Sequence, residues 1–226
     1  MESYGAMPTE IPILTPHQMK SMLETGVLLI DLRQHDAFAS GHIPRSVNVA
    51  FSRKSLAERI ATAIPPDRSI ILFSDEATVA KAAGDALYGI DRNPLPGIVT
   101  TGIDMWRTDG LPLAALPQIS AAALRQRLHA PHDDLVLIDV REPFEWEWGY
   151  IKESLLIPLG EIWQRSGSLD PRKEIILICA EGLRSSTAAS ILLHHCFPRI
   201  GNVPGGMGNW LNADYPTVRL SQSPQH

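Results

Sequence analysis

VLLIDLR at residues 27–33 returns as LVLIDVR at 135–141. Both are short apolar runs rich in branched residues, and both end in Asp-x-Arg. Outward from this pair, GHIPRSVNVA at 41–50 matches GYIKESLLIP at 149–158, and SIILFS at 69–74 matches EIILIC at 174–179. VTTGIDMWRTDGLP at 99–112 matches VPGGMGNWLNADYP at 203–216, and the lead-in LTPHQMKSML at 14–23 matches ISAAALRQRL at 119–128. Matched segments in one order mark a tandem duplication. We place one domain at residues 1–112 and a second at 113–226, with a short apolar joint at Leu113–Pro117. The 226 residues divide into two units of about 110, an ordinary domain size.

Each half reads as α/β. Thr15 and Ser120 are helix N-caps, and Pro16 suits a first helical position. VLLID, LVLID, IILF and IILI have the look of strands buried in a parallel sheet. SLAERIATAI at 55–64 is one of the helical segments between them. In open α/β sheets chemistry gathers just beyond the carboxyl ends of the strands. Asp139 and Cys179, each closing an apolar strand, therefore fall on one edge of the second sheet.

Composition narrows the function classes. A net charge of −5 argues against nucleic-acid binding, which needs a basic face to neutralise phosphates. No apolar run approaches the roughly 18 residues that span a bilayer, so no membrane partner is expected. The start, MESYGAMPTEIPIL, has neither the basic beginning nor the apolar core of a signal peptide. Two cysteines do not make a disulfide framework. A reducing cytoplasm is the expected location, where a cysteine is catalytic, metal-binding or buried more often than bridged.

Cys179 stands out through its successors in the chain: Ala180, Glu181, Gly182, Leu183, Arg184 and Ser185. A helix starting near Arg184 or Ser185 points its free N–H groups and positive dipole end back at this loop. A turn from strand to helix also aims successive backbone N–H groups inward as an anion nest. Gly182 permits a positive φ, and Arg184 adds a charged fork suited to an oxyanion. Cysteines at helix N-termini beside cations are the ones that ionise readily. The loop suits a thiolate and an anionic substrate.

This Cys-x-x-Gly-x-Arg-Ser loop resembles the active-site loop of the rhodanese family of sulfurtransferases. The rest of the second half agrees: Asp139-Val140-Arg141, Glu145, Gly149-Tyr150-Ile151, and Gly205-Gly206 followed by Trp210. The first half keeps Asp31-Leu32-Arg33, Gly41-His42-Ile43, and Gly102 with Trp106. It has Ser74 in place of the cysteine, followed by Asp75 and Glu76, with no loop glycine or arginine, so it looks catalytically silent. The resemblance implies two tandem rhodanese-like domains, each a mainly parallel sheet flanked by helices. It implies Cys179 as the nucleophile, residues 180 to 185 around the substrate, and Asp139, Arg141 and Glu145 in support. It also implies ping-pong transfer of sulfane sulfur through a Cys179 persulfide, with no metal or organic cofactor. The donor would be a small anion such as thiosulfate, or a thiol persulfide. The acceptor would be cyanide, glutathione or a protein thiol.

Neighbouring families fit less well. Mercaptopyruvate sulfurtransferases resemble this layout but usually carry Cys-Gly-x-Gly-x-Thr, and an arginine where this chain has Glu145. Related phosphatases and arsenate reductases have a loop one residue longer. Glu181, a carboxylate inside the loop, disfavours a dianion and favours a thiol persulfide as donor. Two rival readings remain: a non-enzymatic persulfide carrier or interaction module, and a redox-sensing thiol.

Other residues receive plainer readings. The helix after Ser185 separates Cys196 from Cys179 by about 16 Å, beyond the roughly 7 Å a disulfide tolerates; Cys196 reads as a buried or half-buried helix-end residue. Adjacent helical residues point about 100° apart, so His194-His195 reads as a helix end. Phe144, Trp146, Trp148 and Tyr150 alternate, as packing residues, as an aromatic wall beside the site, or as a docking patch for the first domain or a partner protein. Trp106 and Trp210 share one repeat position and hence one structural role. The tail SQSPQH reads as frayed.

Overall fold

The computed structural model describes residues 11–87, 94–130 and 134–219; the first ten residues and the SQSPQH tail lie outside that range. The first half runs α1 (Pro16–Glu24), β1 (Leu28–Asp31), α2 (His35–Ser40), β2 (Val47–Asn48), α3 (Leu56–Ala63), β3 (Ile70–Phe73), α4 (Ala77–Leu87), β4 (Gly97–Val99) and α5 (Gly102–Thr108). The second runs α6 (Ala121–His129), β5 (Leu135–Asp139), a 3-10 helix at Pro143–Trp148, β6 (Ser154–Leu156), α7 (Leu159–Arg165), β7 (Glu174–Ile178), α8 (Leu183–His194), β8 (Ile200–Asn202) and α9 (Gly206–Asn212). Each half holds a parallel four-stranded sheet, in the orders β2-β1-β3-β4 and β6-β5-β7-β8. The two orders are the same because the two sequences are repeats.

Local chemistry accounts for the element ends. Thr15 caps α1 in a reciprocal box with Gln18, with Pro16 at the first turn. The Ser120 side chain accepts the Ala123 N–H at the head of α6. Strands β1 and β3 are buried along their whole length, as a sheet covered on both faces requires. Among the described residues no helix is long and apolar enough to cross a membrane.

The halves share one interior. A single apolar cluster takes in Leu56 and Ile60 of the first half with Ile138, Ile162, Ala188 and Ile191 of the second. At the seam α3 packs on α7, and α8 packs on β2. The segment Ser185–Leu192 of α8 is buried, although it is mostly serine, threonine and alanine. Small residues let α8 fit between its own sheet and the edge of the other. The Asn48 N–H of edge strand β2 donates to Ser190 Oγ at 2.9 Å, and the Ser186 hydroxyl donates to Asn48 Oδ1 at 3.3 Å. An edge that would otherwise expose an unpaired donor is thereby satisfied by the neighbouring domain. The joint is tied to both halves through its backbone: Ala114 exchanges bonds with His42, and Pro117 and Ile119 bond Asn202.

His42, beside this joint, is 1 % exposed. Its ring stacks on Phe38 at 3.9 Å, and its Nδ1 lies 3.0 Å from the Phe38 carbonyl oxygen. Burial disfavours the charged ring and pulls its pKa down to about 4. An unfolded chain takes up this proton near about pH 6.5. Between those values the unfolded state binds more protons, so stability falls as pH falls, by about 3 kcal/mol at full extent. Melting temperatures measured from neutral pH down to about pH 4 should drop less steeply in His42→Gln than in the native protein. Parallel slopes would assign the acid sensitivity to other groups.

Candidate active site

Strand β7 ends at Ile178, and Cys179 follows at the carboxyl edge of the sheet. Gly182 then turns the chain into α8 with φ 96°. A Cβ there would come within 3.0 Å of the Gly205 nitrogen and 3.2 Å of the Val203 oxygen, so both space and conformation require glycine. In this turn the Gly182 N–H donates to Cys179 Sγ at 3.0 Å, and the Ser185 hydroxyl donates at 3.4 Å. The sulfur thus sits at the positive end of a twelve-residue helix, with two donors aimed at it.

The second pair of glycines holds the other side of the loop. Met207 N–H donates to the Cys179 carbonyl at 2.7 Å, and Gly208 N–H to the Ala180 carbonyl at 3.0 Å. Gly205 and Gly206 both have positive φ, and a Cβ on Gly206 would collide with the Cys179 carbonyl. The backbone of Cys179 and Ala180 is therefore clamped by the start of α9.

The supporting residues divide into two groups. Asp139 and Arg141 form a buried two-point ion pair, 2.7 Å at its shortest. Arg141 also donates to the Gly149 carbonyl at 3.0 Å, and Trp146 Nε1 donates to Asp139 at 2.8 Å. The first half repeats this with Asp31, Arg33 and the Gly41 carbonyl. Asp-x-Arg is thus a fold-making clasp in both repeats, from the end of a strand to the glycine turn. Glu145 instead reaches the cysteine loop through Arg184. It binds both nitrogens of the Arg184 fork, at 2.6 and 2.8 Å. Burial works against the Glu145 charge, but the Arg184 bonds and the Glu142 N–H outweigh it and hold the carboxyl below its ordinary range. Arg184 is held above its own ordinary value, chiefly by the same bonds. The sequence reading leaves this fork for the substrate; in the structure an internal carboxylate engages it.

Cys179 is 1 % exposed and lines a cleft of about 590 Å³ between the halves. One wall is the loop, with Ala180, Glu181, Leu183 and Arg184; the other is Gln34, Ala50, Phe51, Ser52, Ser55 and Arg59 of the first half. From the short apolar joint and the fold motifs kept by the first half, the sequence reading expects that half to wall one side of the cleft beyond Cys179; it does not name the residues. Arg59 lies on the polar side of an ordinary amphipathic helix, and no local signal ties it to a cysteine in the other repeat.

At the equivalent point of the first half, the Glu76 N–H donates to Ser74 Oγ at 3.2 Å. The Asp75 carboxylate takes the Ile103 N–H at the head of α5 at 2.7 Å and lies 3.6 Å from Arg33. The donors that hold the loop in the second half here hold an internal acid.

Of the remaining residues, Cys196 is exposed, which corrects the expectation of burial. The chain turns left-handed there, with φ 65°, carrying the side chain off the end of α8. His194 closes α8 and His195 follows; both rings pack on Trp163, and His194 Nδ1 lies 2.8 Å from the Arg45 carbonyl oxygen. Trp146 is buried and stacked on Tyr150 at 3.8 Å, while Phe144 and Trp148 are exposed. Trp106 and Trp210 do share one role: each indole N–H donates to the carbonyl of a proline six residues on, Pro112 and Pro216.

Two like sheets, one carrying a cysteine in a donor-lined loop, define a duplicated α/β protein with a single thiol site. The family model described as a Rhodanese-like domain matches residues 15–109 and again 120–213, and the chain belongs to this family. YtwF of Bacillus subtilis, provisionally named a sulfurtransferase, is 38% identical over 95 residues, covering 42% of this chain and 90% of its own length. YrkF of the same organism, provisionally named a sulfur carrier protein, is 36% identical over 97 residues, covering 43% of this chain. The match spans about half of YrkF, 52%. A protein of Allochromatium vinosum named sulfurtransferase is 31% identical over 101 residues, covering 45% of this chain and 94% of its own length. Each of these matches has the length of one repeat. Family and relatives together support sulfur transfer as the general activity.

Proposed function

We propose that this protein moves sulfane sulfur from a small anionic donor, thiosulfate or a thiol persulfide, to a thiophilic acceptor through a persulfide on Cys179. The observation that carries this reading is the pair of donors on Cys179 Sγ, from Gly182 and Ser185, at the floor of a cleft with room for a small substrate. In the first step the thiolate attacks the donor's outer sulfur. A bond forms between Sγ and that sulfur, the bond to the rest of the donor breaks, and sulfite or a thiolate leaves with the electron pair. In the second step cyanide, glutathione or a protein thiolate attacks the outer sulfur. Thiocyanate or a new persulfide leaves, and the Cys179 thiolate returns. The cycle balances without a cofactor. The donors that meet the thiolate can meet the terminal sulfur of the persulfide, so one loop serves both halves of the cycle.

The reading favours a reducing compartment such as the cytoplasm, where a free thiol persists more readily than in an oxidising one. Mass spectrometry after incubation with thiosulfate should find one added sulfur atom on the Cys179 peptide, removed by cyanide as thiocyanate with steady turnover. Loading with release only to a protein thiol would favour a carrier. Oxidation of Cys179 with no sulfur gained would replace both with a redox role.

A further inference from the structure

The charges around the cleft do not cancel evenly. Arg184 is matched by Glu145 and Arg141 by Asp139, while Glu181 adds a negative charge to the loop. Arg59, on α3 of the silent half, lines the same cleft. It is only half-exposed, and one guanidinium N–H donates to the Ala50 carbonyl at 2.7 Å. Among the described residues no carboxylate is paired with it, and desolvation alone moves its pKa, downward. An arginine stays protonated in such a place. It has lost water and gained no counter-charge, and most of its five donors are unspent. Beside it, Ser55 Oγ donates to Ser52 Oγ at 3.0 Å, so hydroxyls also line this wall.

We propose that Arg59 is the specificity-determining cation of the Cys179 site: the silent domain binds the anionic head of the sulfur donor while its outer sulfur meets Sγ. The head would be the sulfonate end of thiosulfate or the carboxylate of a small thiol persulfide, both of which suit a planar fork. This rests on the sulfur-transfer reading for its substrate class. It also explains how a loop bearing Glu181, with its own arginine engaged, can serve an anion. The first half has lost a thiol but keeps one arm of the site.

The test separates this inference from the reading beneath it by using alkylation, which needs no sulfur transfer. In a Cys196→Ser background, the rates of Cys179 modification by iodoacetate, an anion, and iodoacetamide, its neutral counterpart, are compared. Arg59→Gln should lower the iodoacetate rate about tenfold or more, the loss of one charged hydrogen-bond partner, with the iodoacetamide rate unchanged. Arg59→Met, which keeps the aliphatic stem for packing, carries the same expectation should the glutamine variant misfold. Arg59→Lys should retain part of the preference. With thiosulfate, and separately with glutathione persulfide, KM should rise about tenfold to a hundredfold while kcat and the cyanide step stay near native values. A donor whose KM does not move is not held at this arm. An iodoacetate-to-iodoacetamide ratio equal to that of the parent protein in both neutral variants would overturn the proposal. A lowered ratio in a protein that turns over no sulfur donor would leave Arg59 as the anion site and sink the sulfur-transfer reading alone.

Discussion

Cys179→Ser is expected to abolish sulfur transfer, with turnover down at least about a thousandfold, as when a covalent nucleophile is removed. Serine fits the space, and its hydroxyl can still accept the Gly182 N–H, so the loop should keep its shape. What is lost is chemistry: an alcohol ionises far less readily than a thiol, and its oxygen has little affinity for divalent sulfur. The native fold should persist, because Cys179 is one buried residue in a backbone clamped by Met207 and Gly208. The check is thiocyanate production from thiosulfate and cyanide, with circular dichroism and melting as controls for folding. Cys196→Ser, at an exposed site beyond α8, should leave turnover near the native value. Activity retained in the Cys179 variant and lost in the Cys196 variant would move the chemistry to the far end of α8, away from the loop donors and the cleft.

Removing residues 1–112 should have the second large effect. The surviving piece would contain Cys179, its loop and a complete four-stranded sheet, but the short apolar joint at Leu113–Pro117 already points to closely docked halves. The packing agrees. α7 and α8 lie against α3 and β2, within a cluster that crosses the seam. Each large apolar side chain returned to water costs about 1.5–3 kcal/mol, against a typical domain stability of about 5–15 kcal/mol. Exposure of three or four removes about 5–12 kcal/mol, most or all of that stability. The serines of α8 would also lose their Asn48 partners, and the cleft would lose the wall carrying Arg59. Residues 113–226 alone should be poorly soluble or melt well below the full chain, with kcat/KM for anionic donors down about a hundredfold or more. An isolated second half as stable and active as the whole would sink the packing role and leave the first half for partner binding.

The repeat, the strands and the cysteine loop were legible because they rest on local patterns. Apolar runs of strand length, caps at Thr15 and Ser120, and a glycine between a strand and a helix each act within a few residues. The position of Gly182 also implied its positive φ, since the turn leaves no room for a side chain. The partners of charged groups were not legible to the same degree. Arg184 and Glu145 are each visible in the sequence as site residues, yet nothing local says that they bind each other. Asn48 looks like any residue at the end of a short strand, and Cys196 looks like an ordinary helix-end cysteine until the chain turns left-handed there.

By itself the sequence determined two α/β repeats, one thiol at the carboxyl end of a strand, and a serine, Ser74, at the matching position of the first repeat. Those features depend on backbone conformation and hydrophobic period, which neighbouring residues dictate. The tertiary structure alone decided that Arg184 is paired with Glu145, that Asn48 is satisfied by Ser190, and that Arg59 of the first repeat lines the same cleft as Cys179 of the second. Electrostatic and hydrogen-bond partners are chosen by proximity in space, and here that proximity exists only because two sheets close on α8.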